Sequence, residues 1–590
     1  MRTYPSMARA SSAILSIGVF LVALASASAQ NALEHSLTAT LDTALQWQDL
    51  LSLTPAKLEE IYSAEGFSSS PFYAWSEDKK SARLARKPFS NITVDLTAFG
   101  GKLPVEEAII RFEDGVARAI EIEIAGGEAE KATRELKAVL KDEPTRRMVS
   151  RPGLDSVSFA LWDRDSVRIT QAIGGARSVI RIVRKQDAHL ACIHSPGDGT
   201  FAMICDLDFL LDYPTAWQMS TDTLESRFDI ADHGFKEQPF FQWLSASKDR
   251  LRFARKPFTN ITVDLRLFGG RVTVDEAVVD FKNGSPSIAS ISVYNRGDSG
   301  GMSPAEFDAL YKACGQSLGQ VLKVSPQRLQ AGANSAVKTV GYQWRSPFCI
   351  AQLEHNDYAG KKNTQPEFLR LKLAAPGNKD WSFGSSPTGL LTSNVGRSSL
   401  LKNVSKNAEG DVFITGVPMV DQGAKGYCVV ASCQRLFEYY KIACDQHEMA
   451  QLAGSSAESG TSSLAMEAVL DKIDNRFKTR FKPLISPTLR RERNFRAPDG
   501  KKFGEWIQEY VDQGIPLLWA LELGIAPEEP PLQSAGQISG GHMRMIIGYN
   551  QAKNQLIFTD SWGAGHEMKR MSQTAALPVT SGLYVVQPRS

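Results

Sequence analysis

Residues 416–440 read GVPMVDQGAKGYCVVASCQRLFEYY, a glycine-containing loop that runs directly into an apolar periodic stretch. From Val429 the apolar residues recur at Cys433, Leu436, Phe437 and Tyr440, the spacing of one buried helical stripe. The helix is therefore expected to begin at Cys428. There the unpaired N–H groups and the helix macrodipole favour a thiolate, the nucleophilic form of cysteine. Geometry of this kind also suits an inert buried thiol, so the residues that keep Cys428 company decide the reading. Gln422 lies six residues upstream. Its side-chain NH2 could join the Cys428 backbone N–H in holding an oxyanion.

Downstream, residues 540–563 read GGHMRMIIGYNQAKNQLIFTDSWG. Two strand patterns, Met543 to Tyr549 and Leu556 to Thr559, flank a turn, so His542 opens one strand and Asp560 closes its hairpin partner. In an antiparallel pair those ends meet. Asp560 could then fix the His542 tautomer while the other ring nitrogen faces Cys428 as general base.

Gln422-x5-Cys428 at a helix head, Gly541-His542 before an apolar strand and Asp560-Ser561-Trp562-Gly563 after another resemble the papain-like superfamily of cysteine peptidases. The likeness is closest to the bacteriocin-leader (double-glycine) peptidases and their secreted relatives. Met449 to Gly454 and Gly460-Thr461 look like that family's opening segment, and the strand pattern Ile515 to Leu521 sits where the family places one before its histidine. The resemblance covers roughly residues 412–590. It implies a nucleophile at Cys428, a general base at His542, an orienting carboxylate at Asp560 and an oxyanion donor at Gln422. It also implies a peptide or protein substrate and no cofactor. Val429-Val430 stands where relatives carry an aromatic or Gly-Pro, and Asp560 stands where papain's relatives usually carry Asn. A transglutaminase-like acyl transferase therefore stays open beside a hydrolase. Trp562 is expected to pack over the Asp560 to His542 hydrogen bond, and His447 and His566 are read as surface histidines.

Upstream the chain repeats itself. Residues 85–101, ARKPFSNITVDLTAFGG, and 254–270, ARKPFTNITVDLRLFGG, differ at three of 17 positions, a duplication at an offset of 169. Each copy carries alternating strand patterns, such as Asn91 to Leu96 and Ala108 to Phe112, and then a helical stretch, Ala129 to Leu140 or Pro304 to Cys314. Gly100-Gly101 and Gly269-Gly270 read as turns needing positive φ. The charged residues shared by the copies are expected on solvated strand faces. The sequons at Asn91 and Asn260 lie within strand patterns and are not counted as glycosylated.

The fold class expected is multidomain α+β: two tandem homologous α+β modules, 45–214 and 215–375, a Gly/Ser/Asn-rich linker, 376–411, and a papain-like α+β domain, 412–590. Residues 1–29 read as a Sec signal peptide, with Arg2 and Arg9 before an apolar run and Ala27-Ser28-Ala29 at the cleavage site. A secreted or periplasmic protein is thus expected, with no transmembrane anchor. In an oxidising compartment disulfides can form. Of the seven cysteines, Cys192 and Cys205 are the pair suggested by proximity, and Cys433 with Cys444 is a second candidate.

The 590 residues exceed a single core. Sixty-seven basic against 65 acidic residues exclude a polyanion-binding character, so no nucleic-acid partner is expected. No zinc-like spacing, phosphate loop or G-x-S-x-G motif appears, and no metal is expected. A reading of another class remains: the modules recognise a cell-surface or cell-wall partner, and the last domain is an inactive relative.

Overall fold

The computed structural model describes residues 35–43, 45, 51–63, 70–86, 92–151, 154–164, 166–173, 177–184, 190–194, 201–211, 215–228, 241–255, 261–329, 337–358, 365–376, 378, 395–422, 426–442, 444–454, 461–532 and 540–589. The segment 1–29, read as a signal peptide, and both sequon asparagines lie outside the described residues.

Two large antiparallel sheets dominate the first two thirds. In space the first runs Tyr73–Trp75, Ser81–Ala85, Glu107–Glu113, Val116–Ala125, Arg177–Arg184, Val167–Ile173, Leu154–Asp163, Thr145–Arg151. The second runs Gln242–Trp243, Arg250–Ala254, Glu276–Lys282, Ser285–Asn295, Phe368–Ala374, Ile350–Asn356, Thr339–Arg345, Gln327–Arg328, the same succession. Each sheet carries a helix between its fourth and fifth strands in chain order, Ala129–Leu140 or Pro304–Leu322. The second helix begins in a capping box, in which Ser303 and Glu306 satisfy each other's backbone N–H groups. It runs past Cys314 because Ser317, Leu318 and Leu322 continue its buried face.

Smaller sheets join strands outside these two. His35–Thr40, which precedes the stretch 45–214 read as one module, pairs in parallel with Ile92–Ala98 inside it. Phe201–Asp206, assigned by sequence to the first module, pairs in parallel with Ile261–Leu267 of the second. Parallel addition of a distant strand leaves no local turn signal, so spacing could not reveal it.

The FGG turns adopt positive φ at Phe99, Gly100 and Gly101, and again at Phe268, Gly269 and Gly270. Each is held by one carboxylate: Asp42 accepts from the Phe99 and Gly100 N–H groups, and Asp208 from those of Phe268 and Gly269.

Cys205 is a buried free thiol and lies opposite Leu190, while Cys192 lies opposite Met203. The Cys192 to Cys205 pairing is thus not formed, because antiparallel register sets the two cysteines out of step. Cys433 and Cys444 are free and buried as well.

The last third is built on a mixed layer of strands and helices. Its sheet runs Val404–Lys406, Asp411–Ile414, Gly540–Asn550, Leu517–Leu523, Thr580–Pro588, Thr479–Ile485, all antiparallel, and Gln555–Thr559 pairs with both Gly540–Asn550 and Lys569–Ser572. The stretch read as linker up to 411 therefore supplies an edge strand. Gly548 lets Asp411–Ile414 lie against Gly540–Asn550, since a Cβ there would lie 2.6 Å from the Val412 carbonyl oxygen. Helix Cys428–Tyr439 lies against this sheet and is buried on nearly every side, at Val430, Ala431, Ser432 and Arg435 as well as along the apolar stripe. Its core includes Met449, Trp519, Met545 and Phe558. Among the described residues, no helix is long and apolar enough to cross a membrane.

Candidate active site

Cys428 is the first residue of its helix, and the preceding Tyr427 gives no side-chain cap. The open helix N-terminus thus presents its N–H groups at the sulfur. Opposite stands the strand Gly540–Asn550, tied to the helix by the Ser432 Oγ bond to the Met543 carbonyl, 3.1 Å. That tie sets His542 beside Cys428.

His542 Nε2 lies 2.5 Å from Asp560 Oδ1. The ring also hydrogen-bonds the Cys428 sulfur, which falls to its second nitrogen, Nδ1. Cys428 is 9% exposed, His542 6% and Asp560 fully buried, so the sulfur sits at the edge of a closed site. Burial is the largest influence on each group and opposes its charged form. For Cys428 it is outweighed by the His542 hydrogen bond and charge and by backbone N–H groups of Met543 and Val429, which bring the thiol below its ordinary value. For His542, Asp560 outweighs burial and, with Cys428, lifts the imidazole to about 9. Burial likewise opposes the Asp560 carboxylate, yet His542 and Arg544 hold it well below the usual range. These directions together favour thiolate beside imidazolium.

Trp562 lies flat on the imidazole, ring centroids 4.3 Å apart. The indole also meets His566 edge-on, with ring centroids 5.5 Å apart. His566 is buried rather than on the surface, because its carbonyl closes the turn by accepting from the Asp560 N–H at 2.9 Å. Gln422 is buried, and its amide oxygen accepts from Ser561 Oγ at 2.7 Å while its backbone N–H donates to the Ser561 carbonyl. The oxygen end of this amide is thereby assigned to Ser561, and the NH2 is the end suited to an anion.

Two buried arginines were not singled out from sequence. Arg544, two residues past His542, places Nε 2.7 Å from Asp560 Oδ2 and holds Glu528 with both terminal nitrogens, at 2.7 and 3.2 Å. The Asp560 contact is an oblique ion pair rather than an aligned hydrogen bond. Lys569 joins Glu528 from the far side. Arg435 reaches from the Cys428 helix to the Pro418 carbonyl, the Asp560 carbonyl and Thr559 Oγ1, at 2.7, 2.6 and 2.6 Å. It bonds the loop before Cys428 to the turn after the Gln555–Thr559 strand. Burial lowers this guanidinium to about 10. Arg435 lies seven residues past Cys428, and a lone arginine in a helix sequence would be read as solvated, so only its complete burial reveals it.

No described group of His, Cys, Asp and Glu is arranged to hold a metal ion. What the arrangement brings into line is a thiol, an imidazole and a carboxylate.

In the last third of the chain the fold and this line of groups resemble the arrangement of a papain-like cysteine peptidase. Residues 414–577 match the model of the Peptidase_C39 like family. Among solved structures, the chain is similar to xylellain, a cysteine protease from Xylella fastidiosa, at 13% identity and a TM-score of 0.21, over 33% of this chain and 90% of that one. Among curated proteins none matches.

Proposed function

We propose that the chain is an exported thiol hydrolase that cleaves a peptide or amide bond through an acyl-enzyme on Cys428. The Cys428 thiolate attacks the carbonyl carbon, and the oxyanion formed accepts hydrogen bonds from the Gln422 NH2 and the Cys428 backbone N–H. As the C–N bond breaks, His542 gives its proton to the leaving amine. Water then enters, His542 takes its proton, and attack on the thioester returns the acid product and the thiolate. Asp560 keeps the imidazole oriented throughout.

The observation that carries this reading is the continuous hydrogen-bonded line Cys428, His542, Asp560, with His542 lifted to about 9. The match at 414–577 supports a peptide substrate. Export with cleavage after Ala29 rests on the N-terminal pattern of charged, apolar and small residues. The two preceding modules are read as copies of one domain, which their common strand order supports, and a cell-surface or cell-wall ligand is proposed for them.

The test is to incubate a denatured protein mixture with full-length protein and with Cys428→Ala, then sequence the new N-termini by mass spectrometry. New termini from the parent alone are expected. The same termini from both preparations would reject the reading.

A further inference from the structure

We propose that the second module is a working part of the site, with Arg250 and Arg252 as positioning residues for the loop that carries Gln422. The inference rests on the thiol-hydrolase reading and adds a requirement to it.

Both arginines stand on one edge-ward strand, Arg250–Ala254, facing the last domain. Each is anchored by a carboxylate of its own module and reaches across. Arg250 Nε is 2.5 Å from Asp280 Oδ1, and its Nη1 donates to the Met419 carbonyl and to Glu438 Oε2, both at 3.0 Å. Arg252 Nε is 2.6 Å from Glu276 Oε2, and its Nη1 lies 3.5 Å from Asp421 Oδ2. Met419 and Asp421 bracket the approach to Gln422, and Glu438 lies on the nucleophile's helix.

The same module touches the other wall. The Ala246 N–H donates to Glu567 Oε1 at 3.0 Å. A Cβ added at Gly563, just past Trp562, would lie 3.5 Å from Asp421 Oδ2 and 3.9 Å from Leu244 Cδ2. Beside the nucleophile, a Cβ at Gly297 would lie 1.9 Å from the Tyr427 hydroxyl oxygen, so the module's backbone closes directly on the residue before Cys428.

The first module offers an internal comparison. Where Arg250 faces Asp280 across two strands, the corresponding pair in the first copy is Ser81 and Arg111. Arg252 and Glu276 have counterparts in Arg83 and Glu107, which bond to each other at 2.6 Å on an exposed face. The arginine that grips Met419 and Glu438 thus belongs only to the copy that meets the last domain. An isolated loop ending in Gln422 would sample many backbone states, and an oxyanion donor acts only when held near its working position.

The test uses full-length protein and compares two reactions of one sulfur. Acyl transfer passes through an oxyanion, whereas alkylation by iodoacetamide does not. Asp421→Asn and Arg250→Met are expected to lower kcat by about 10- to 100-fold with KM nearly constant, and to leave the Cys428 alkylation rate within about two-fold, a difference that only the oxyanion step creates. Arg250→Lys should recover part of kcat, and Arg83→Ala should match the parent. If Arg250→Met does not fold, Asp421→Asn decides, since it removes a charge with little change in shape. An unchanged kcat in folded Asp421→Asn, or a parallel loss of kcat and alkylation, would overturn the proposal. A parent protein that neither turns over nor labels at Cys428 refutes the hydrolase reading itself, and the positioning role falls with it.

Discussion

The Trp562 indole and the His542 imidazole are stacked, with ring centroids 4.3 Å apart and planes inclined by 18°. The indole face is electron-rich, so it stabilises a cationic ring beneath it, by roughly 0.5–2 kcal/mol when the pair is desolvated. It also shields the bond to Asp560 from water. Trp562→Ala should therefore shift the alkaline limb of kcat/KM to lower pH, by up to about one unit, and reduce kcat. A pH profile of the variant checks this.

The ionisation directions set the parent's own profile. His542 is raised to about 9 and Cys428 lies below its ordinary value, so both are charged in a window that ends near pH 9. Activity should rise as Cys428 deprotonates and fall as His542 loses its proton at about 9. The linked stability has two opposed parts: a histidine raised in the folded state stabilises fully below its unfolded value of about 6.5 and ceases to do so as pH rises through about 9, whereas a thiol lowered in the folded state stabilises above its unfolded value and loses that contribution as pH falls. With the thiol removed in Cys428→Ala only the histidine part remains, so denaturation midpoints of that variant should fall as pH rises towards 9 and should fall less steeply in the double variant Cys428→Ala, His542→Gln.

Asp560 is shared between His542 and Arg544. Asp560→Asn keeps the volume and removes the charge that lifts the imidazole, leaving burial to depress it. The alkaline limb should move to lower pH by more than one unit, with kcat reduced. Arg544 keeps Glu528, so the variant should still fold. Circular dichroism and the pH profile together check both statements.

Arg435 makes three bonds to acceptors that carry no charge. Arg435→Met would leave the Pro418 and Asp560 carbonyls buried without this donor, at about 1–3 kcal/mol for each unsatisfied group. The expected result is a lower denaturant midpoint together with reduced kcat, because the loops bearing Gln422 and Asp560 lose a common anchor. Urea unfolding gives the first quantity and steady-state kinetics the second.

The paired carboxylates Asp42 and Asp208 support equivalent turns, so they make an internally controlled experiment. Asp42→Ala should destabilise the first module by about 1.5–3 kcal/mol, the worth of a charge-assisted hydrogen bond. Hydrogen exchange should report the loss around Phe99 to Gly101 and leave Phe268 to Gly270 protected.

Much of the site could be read locally. Cys428 at a helix head, His542 and Asp560 at facing strand ends, and helix Ala129–Leu140 all follow from periodicity and turn chemistry. What escaped was made by distant contacts. Arg435, Arg544 and Arg250 look like solvated charges in sequence and acquire meaning only when three elements close on them. The parallel strand Phe201–Asp206 carries no signal of the partner it joins 60 residues later. His566 was misjudged because its polar neighbours form a turn that folds inward over Trp562. The Val404–Lys406 strand sits in the stretch 376–411 read as a linker, whose Gly, Ser and Asn content outweighed a short pattern.

The most direct measurement is the rate of iodoacetamide labelling of the full-length protein as a function of pH, with the modified residue mapped by mass spectrometry. The Cys428–His542 ion pair predicts a single fast adduct at Cys428, formed well below the pH at which an ordinary thiol ionises, about 8.5, and absent from Cys428→Ala. Labelling spread over several cysteines, or confined to one whose rate rises only near that ordinary value, would contradict the account.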